Sequence, residues 1–400
     1  MKIALVSPYD YPYPGGVTEH VRSLAEQLMG RGHEVHVIAP SSTDPASLPS
    51  LPVVHRIGRV VPIPTNGSVA RITLPLRGYL QVKELLTREA YDIIHLHEPM
   101  MPALPLTVLR HSQSINVGTF HAFGRTSLRY FYAKPMLHGF FRRLHARIAV
   151  SGPARDFVAR RFPGDYRIIP NGIDYCRFAT PRTPLPAYDD EALDVLFVGR
   201  LEKRKGLEYL LRAWGLIRDT FPRARLLVVG GGGHRLENYA QYTESRGWRE
   251  VVFAGYVSPD DLVRYYQTSD VFCAPSTGQE SFGIVLLEAM AAGRSIVASK
   301  IPGYAEVVAD GREGLLVPPK DPAALAVALT RLLADAELRR AMGARGRQKA
   351  ADHDWSRIAD QVLAVYDETI EAHLAGAGRS IPRERWMRRA ASAMVPRLRW

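Results

Sequence analysis

Short β-branched runs alternate with amphipathic helical stretches along almost the whole chain, and this alternation limits the possible folds more than any other feature. Strands separated by helices are too far apart in sequence to form hairpins, so they pair in parallel with helices covering both faces of the sheet. The pattern runs in two series. KIALVS, a helix over Val17–Met29, HEVHVIAP, YDIIHLH, NVGTFHA and ARIAVS make the first; DVLFVGR, ARLLVVGG, VVFAGYV, DVFCAPS and RSIVASK make the second. Thr180–Glu191, TPRTPLPAYDDE, is proline-rich and acidic, as expected of a linker or the irregular start of a domain. Four hundred residues also exceed what one core usually supports. The expected architecture is α/β, with two Rossmann-like domains facing across a cleft: residues 1–173 and 174–354, divided near Asn171–Asp174. A helix over 355–375 and a basic tail over 376–400 follow.

Composition is that of an ordinary globular protein, with 46% hydrophobic and 23% charged residues. The five-residue apolar run after Lys2 is too short for a signal-peptide core, and no later stretch reaches eighteen apolar residues, so a cytoplasmic location is expected. Cys176 and Cys273 offer neither a disulfide framework nor a metal-type spacing. The net charge of +12 calls for an anionic partner. Its placement is uneven: between Glu98 and Asp156 there is no carboxylate, while Arg110, Arg125, Arg129, Lys134, Arg142, Arg143, Arg147 and Arg155 all fall there among Phe, Tyr and Leu. A nucleic-acid-binding protein is the reading of another class that this charge invites. No nucleic-acid motif accompanies it, and it leaves the carboxylates described next without a role.

Ligands of open α/β sheets sit beyond the carboxyl ends of the strands, so the strand-to-helix loops are where chemistry is expected. The first such loop is Pro14-Gly15-Gly16-Val17, whose glycines let backbone amides at a helix start approach a phosphate. The second runs from Gly199 to Gly206 and holds Arg200 and Lys205. A guanidinium fork and an ammonium point charge can converge there on a diphosphate and neutralise charge as a bond to it breaks. A basic turn alone is an ordinary surface feature. The third is the string ESFGIVLLEAMAAG, in which Glu280 precedes a helix running from about Gly283 to Gly293 and Glu288 lies between one and two turns inside it. One carboxylate can face a sugar while the other reaches ribose hydroxyls, with the amides at Gly283 and Ile284 directed at a diphosphate.

Two patterns imitate metal sites. His95 and His97 share a strand face, but His97-Glu98-Pro99-Met100-Met101 fails H-E-x-x-H at its last position. Asp352-His353-Asp354 resembles a D-x-D triplet, yet Asp354 precedes a helix and reads as its N-cap. No metal is expected.

Glu-x7-Glu in ESFGIVLLEAMAAG, the GR…K…KG loop, PNGID at Pro170–Asp174 and PGGV together resemble the family-four retaining glycosyltransferases of GT-B fold, and within them the branch that mannosylates phosphatidylinositol. The likeness runs from SPY…PGGV…HV…LAE through HLHEP and TFH to FCAPSTGQESFGIVLLEAMAAG. It implies that the C-terminal helix returns to the N-terminal domain. It implies a nucleotide-sugar donor, GDP-mannose favoured, held by Gly15, Gly16, Arg200, Lys205, Val257, Glu280, Ser281, Phe282, Gly283, Ile284 and Glu288. His121 would lie beside the reacting carbon, with Arg200, Lys205 and Glu280 as its catalytic partners. The implied chemistry is a metal-independent front-face transfer in which the leaving phosphate oxygen helps deprotonate the acceptor. Glu280 as a covalent nucleophile is the minority mechanism.

One departure bears on the donor. Near Gly255–Asp261, where the family reads the base, Leu262 stands where guanine-binding relatives carry a lysine. The alternative is therefore a soluble transferase using a UDP-sugar for a polysaccharide or small glycoside.

The acceptor side is implied to be the N-terminal domain, with Tyr9, Arg71, His97 and Arg125 as contacts and a membrane lipid such as phosphatidylinositol as acceptor. Arg71–Tyr79 and Arg125–Arg147 mix basic with apolar and aromatic residues, and each basic residue near an anionic leaflet contributes roughly 1 kcal/mol. The segment after Gly378 adds seven arginines against one glutamate. Peripheral association with anionic phospholipid at the inner face of the cell membrane is the expectation.

Overall fold

A computed structural model describes residues 1–376 except 14, 44–51, 66–67, 74–77, 123–135 and 232–233. The chain forms two compact units. Unit one contains residues 1–150, 154–169 and the C-terminal segment from Trp355; unit two contains 151–153 and 170–354.

Unit one is built on β1 (Lys2–Val6), β2 (Glu34–Ala39), β3 (Val53–Arg56), β6 (Ile93–His97), β7 (Ile115–Phe120), β8 (Ala146–Ala149) and β9 (Arg167–Ile168). Their order across the sheet is β3-β2-β1-β6-β7-β8-β9, all parallel. Two further strands, β4 (Val60–Thr65) and β5 (Ser68–Thr73), form a separate antiparallel pair. The two-residue period of a strand sorts the core onto two faces. Ile3, Leu5, Val35, Val37 and Ile93 face the helix Gly16–Gly30, whereas Ala4, Val6, Ile38, Ile94 and Leu96 join Val82, Leu85 and Val108 in a second cluster.

The terminal helix Trp355–Gly376 belongs to unit one. Trp355, Ile358, Ala359, Val362, Val365, Tyr366 and Ile370 lie at helical spacing on one buried stripe and join the first cluster. Each fully buried large aliphatic among them contributes about 1.5–3 kcal/mol. Arg31 adds an ion pair to Asp360 at 2.8 Å.

Unit two repeats the plan with β10 (Asp194–Val198), β11 (Arg225–Val229), β12 (Val251–Gly255), β13 (Val271–Ala274), β14 (Ser295–Ser299) and β15 (Gly314–Val317), all parallel in the order β12-β11-β10-β13-β14-β15. The proline-rich segment Thr180–Glu191 is the irregular start of this unit and not a free linker. Arg264 donates to the carbonyls of Thr183 and Pro184, and Leu185 and Tyr188 pack on the core. Among the described residues no helix is long and apolar enough to cross a membrane.

The order of strands decides where ligands can go. In unit two the direction of winding reverses between β10 and β13; in unit one it reverses between β1 and β6. At such a reversal the loops leaving adjacent strands diverge to opposite faces and open a crevice.

Candidate active site

In unit two the loops at the reversal are those that follow β10 and β13. They press together at Gly206, which has φ +75°. A Cβ there would stand 2.0 Å from the Pro275 carbonyl oxygen, so only glycine allows the approach. The Thr277 amide donates to the Arg204 carbonyl at 2.7 Å and ties the loops further. Four charged side chains meet across this seam. Arg204 Nη1 donates to Glu280 Oε1 at 2.6 Å, Lys205 Nζ lies 2.8 Å from the same oxygen, and Arg204 Nε donates to Glu202 Oε2 at 2.8 Å. Arg200 reaches Glu202 Oε1 at 3.2 Å and is half exposed.

Burial pushes the Glu280 carboxyl toward its neutral form, but Lys205 and Arg204 together outweigh it and hold its pKa below the ordinary carboxylate value. The short helix Ile284–Ala291 starts directly behind. Gly283, at φ +118°, occupies its N-cap, where no side chain caps the first turn. Such a terminus presents amide hydrogens and positive dipole to an anion.

Glu288 is half-buried inside that helix, with Oε2 accepting from Tyr266 Oη at 2.7 Å. Phe282 is 4% exposed and packs in the core, so only its backbone can face a ligand. The Ser281 carbonyl accepts from Ser151 Oγ at 2.6 Å. Val257 and Leu262 are half-buried against the same core cluster, and Ser258 caps the helix Pro259–Thr268 by accepting from the Asp261 amide. Position 262 is thus an apolar contact, and no cation stands there. Asp354 accepts from the Tyr175 amide at 3.2 Å, and His353 lies against Phe282 with ring centroids 6.0 Å apart.

Unit one carries a different arrangement at its own reversal. The helix Gly16–Gly30 begins at exposed Gly15 and Gly16 with no side-chain cap. Beside it, the ends of β6 and β7 bring His97 and His121 together, Nδ1 to Nε2, at 3.0 Å. Both rings are buried, His97 fully and His121 with 8% exposure. His20 packs edge-on against both, with centroids 5.1 and 4.8 Å away. His95 is held by Tyr366 Oη at 2.7 Å and Thr119 Oγ1 at 2.6 Å.

Desolvation keeps His95, His97 and His121 neutral. His95 is lowered to about 3, and His97 and His121 fall well below the usual histidine value. Glu98, at φ +53°, accepts from the His121 amide at 2.6 Å; burial pushes it up to about 7 despite that bond. His20 supplies the third imidazole that the sequence pattern of β6 lacks, and the nitrogens of His20, His97 and His121 lie within 4.8 Å of one another. Tetrahedral zinc with three imidazoles needs nitrogens roughly 3.3 Å apart, closer than the 4.8 Å span of these three.

Of the remaining contacts implied for an acceptor, Arg71 donates to buried Asp10 at 2.7 Å and stacks over Tyr13 at 4.4 Å, while half-buried Tyr9 bridges to Ile72. Arg125 and most of the basic tail lie outside the described residues. Sequence reasoning passed over Arg204, Tyr266, Glu98 and His20 as site residues. Arg204 adjoins Lys205 and Glu98 adjoins His97, so adjacency was a usable signal for those two. Nothing local marks Tyr266 or His20.

Residues 14–177 match the model for glycosyltransferase family 4, and residues 186–349 match that for glycosyl transferases group 1. The chain is 39% identical over 379 residues to a phosphatidyl-myo-inositol mannosyltransferase of Mycolicibacterium smegmatis, covering 94% of this chain and 95% of that one. It is 38% identical to the protein of that name from Mycobacterium leprae, over 92% and 96% of the two chains. Among solved structures, sucrose-phosphate synthase from Thermosynechococcus elongatus superposes with a TM-score of 0.73 at 25% identity, covering 93% of this chain and 99% of that one. Anabaena Alr3699/HepE in complex with UDP superposes with a TM-score of 0.74 at 20% identity, over 92% and 100% of the two chains.

Proposed function

The chain belongs to glycosyltransferase family 4, and from that premise we propose that it moves mannose from GDP-mannose to the inositol headgroup of a membrane phospholipid, with retention and without a metal. The observation that carries the reading is the meeting of Lys205, Arg204 and Glu280 at the strand-order reversal of unit two, beside a helix start that no side chain caps. Arg200, Lys205 and the amides at Gly283 and Ile284 bind the donor diphosphate, Glu280 binds the transferred sugar and Glu288 the ribose. In the transfer, the bond from the anomeric carbon to the phosphate oxygen breaks, and the acceptor oxygen bonds to that carbon on the same face. The acceptor proton passes to the departing phosphate oxygen, and nucleoside diphosphate leaves. Fixed positive charge at the leaving group lowers the barrier, and losing one such donor costs about 3 kcal/mol.

For unit one we assign Gly16 to the diphosphate, neutral His121 to the sugar, and Tyr9 and Arg71 to the acceptor headgroup. His97 supports His121 through the bond between their rings. The lipid acceptor is supported by the names of the relatives and by exposed Arg110, Arg142 and Arg143 on unit one. Leu262 favours a second reading, a UDP-sugar donor and a soluble acceptor, because it contributes an apolar contact where a lysine would read guanine.

A donor panel of GDP-mannose, UDP-glucose, UDP-N-acetylglucosamine and ADP-glucose, with and without phosphatidylinositol vesicles, separates the readings. Mannose appearing in lipid only from GDP-mannose is the expected result. Transfer from a UDP-sugar to a soluble acceptor alone would replace it with the second reading. Vesicle sedimentation should weaken in high salt, and equal binding to neutral vesicles would remove the anionic-surface component.

A further inference from the structure

The loop after β10 holds a cation that the assignment above leaves without a task. Arg204 is not an exposed surface charge; its side chain is 20% exposed and sits between two carboxylates. We propose that Arg204 is the positioning residue of Glu280, keeping that carboxylate ionised and aimed while Lys205 exchanges between Glu280 and the donor diphosphate. The inference rests on the donor-binding reading of this loop.

Both cations converge on one oxygen, Glu280 Oε1, yet they are held differently. The Arg204 guanidinium is forked between Glu280 and Glu202, and its carbonyl accepts from Thr277 on the same loop that carries Glu280. A planar fork engaged on two acids in fixed directions cannot turn toward a third anion without breaking both pairings. Lys205 is a point charge on a flexible four-carbon stem and can re-aim by rotation. A diphosphate brought to the loop competes with Glu280 for the ammonium and offers it more negative charge.

Two cations on one carboxylate are what such an exchange needs. Glu280 has a side chain only 14% exposed, and stripping every cation from a buried carboxylate is strongly unfavourable. With Arg204 in place, Lys205 can leave and Glu280 stays charged. The carboxylate then meets the sugar hydroxyls with its electron density less committed than before. Arg204 acts through Glu280 and touches neither donor nor acceptor.

Carboxyl-carbon NMR on glutamate-labelled full-length chain, with the Glu280 signal assigned by Glu280→Gln, reads this without requiring turnover. Arg204→Gln should raise the Glu280 midpoint by about one pH unit or more, and Arg204→Lys by less, since a point charge restores part of the field. An unchanged midpoint in Arg204→Gln overturns the proposal; the equally uncharged Arg204→Met decides it in the same way if the glutamine variant does not fold. Adding GDP to the wild-type chain should raise the midpoint as Lys205 departs, and a fixed midpoint with GDP bound overturns the exchange. By calorimetry, GDP affinity should stay within about threefold in Arg204→Gln but fall at least about tenfold in Lys205→Met. An equal loss in both would make Arg204 a diphosphate ligand and refute the positioning role. Absence of transfer from every donor in the panel would sink the mannosyltransfer reading, while the Glu280 titrations of wild type and Arg204 variants would still decide this one.

Discussion

The two units treat charge in opposite ways at the reversal points of their sheets. In unit two, burial is answered by pairing: Glu280 is held ionised by Lys205 and Arg204, and Glu202 takes the remaining face of the arginine. In unit one, burial is answered by neutralisation: His95, His97 and His121 lose their affinity for protons, and Glu98 is raised to about 7. The same strand topology therefore supports two kinds of polar cluster. A cluster of paired ions can pass a cation to an incoming phosphate, which suits a leaving group. A cluster of neutral imidazoles offers donors and acceptors whose state does not change near pH 7, which suits the orientation of sugar hydroxyls.

The largest test of this contrast is removal of an ion from unit two. Lys205→Ala and Glu280→Gln should each lower kcat by roughly 10²–10³ while circular dichroism stays unchanged; near-normal rates would mean the paired ions are only structural. The next concerns Glu98, which is 5% exposed. Its folded pKa is raised from 4.5 to about 7, so the folded chain holds the proton more tightly than the unfolded chain. Stability from this group is full below pH 4.5 and is lost as pH rises through about 7, a change of about 3 kcal/mol across the window. Denaturation series at several pH values should show Glu98→Gln flattening that dependence, and an unaltered slope would place the titrating group elsewhere.

A smaller effect is expected at the edge of the neutral cluster. Tyr366→Phe removes the hydroxyl at His95 and should cost about 1 kcal/mol of stability, read from chemical denaturation. No loss would show that the Tyr366–His95 bond adds nothing to the hold of the terminal helix on unit one. The smallest effect is an absence: with His121 neutral, kcat should show no histidine limb between about pH 6 and 8. A limb that vanished in a variant of His121 would break the contrast between the units.

Much of the fold can be read along the chain, because strand–helix alternation and the two-residue period at Ile3, Ala4, Leu5 and Val6 are local signals. The final helix is equally plain from its apolar spacing, and the segment before β10 has the composition of an irregular domain start. The site is less legible. Glu280 and Lys205 stand out through their motifs, but the ion pair between them joins positions far apart in sequence, as do Glu288 with Tyr266 and His121 with Glu98 and His97. His97 illustrates the difference: its place beside a motif offers it as an acceptor contact, while its full burial and its bond to His121 appear only in the folded chain.

By itself the sequence determined the fold class, the family and the kinds of side chain available for chemistry, because periodicity, glycine placement and the Glu-x7-Glu string are written in neighbouring residues. Only the tertiary structure decided which charges are paired, which imidazoles are neutral and which arginine is committed to Glu280. Those properties depend on burial and on the distance between loops leaving different strands, and both arise only when the strands have been ordered in a sheet.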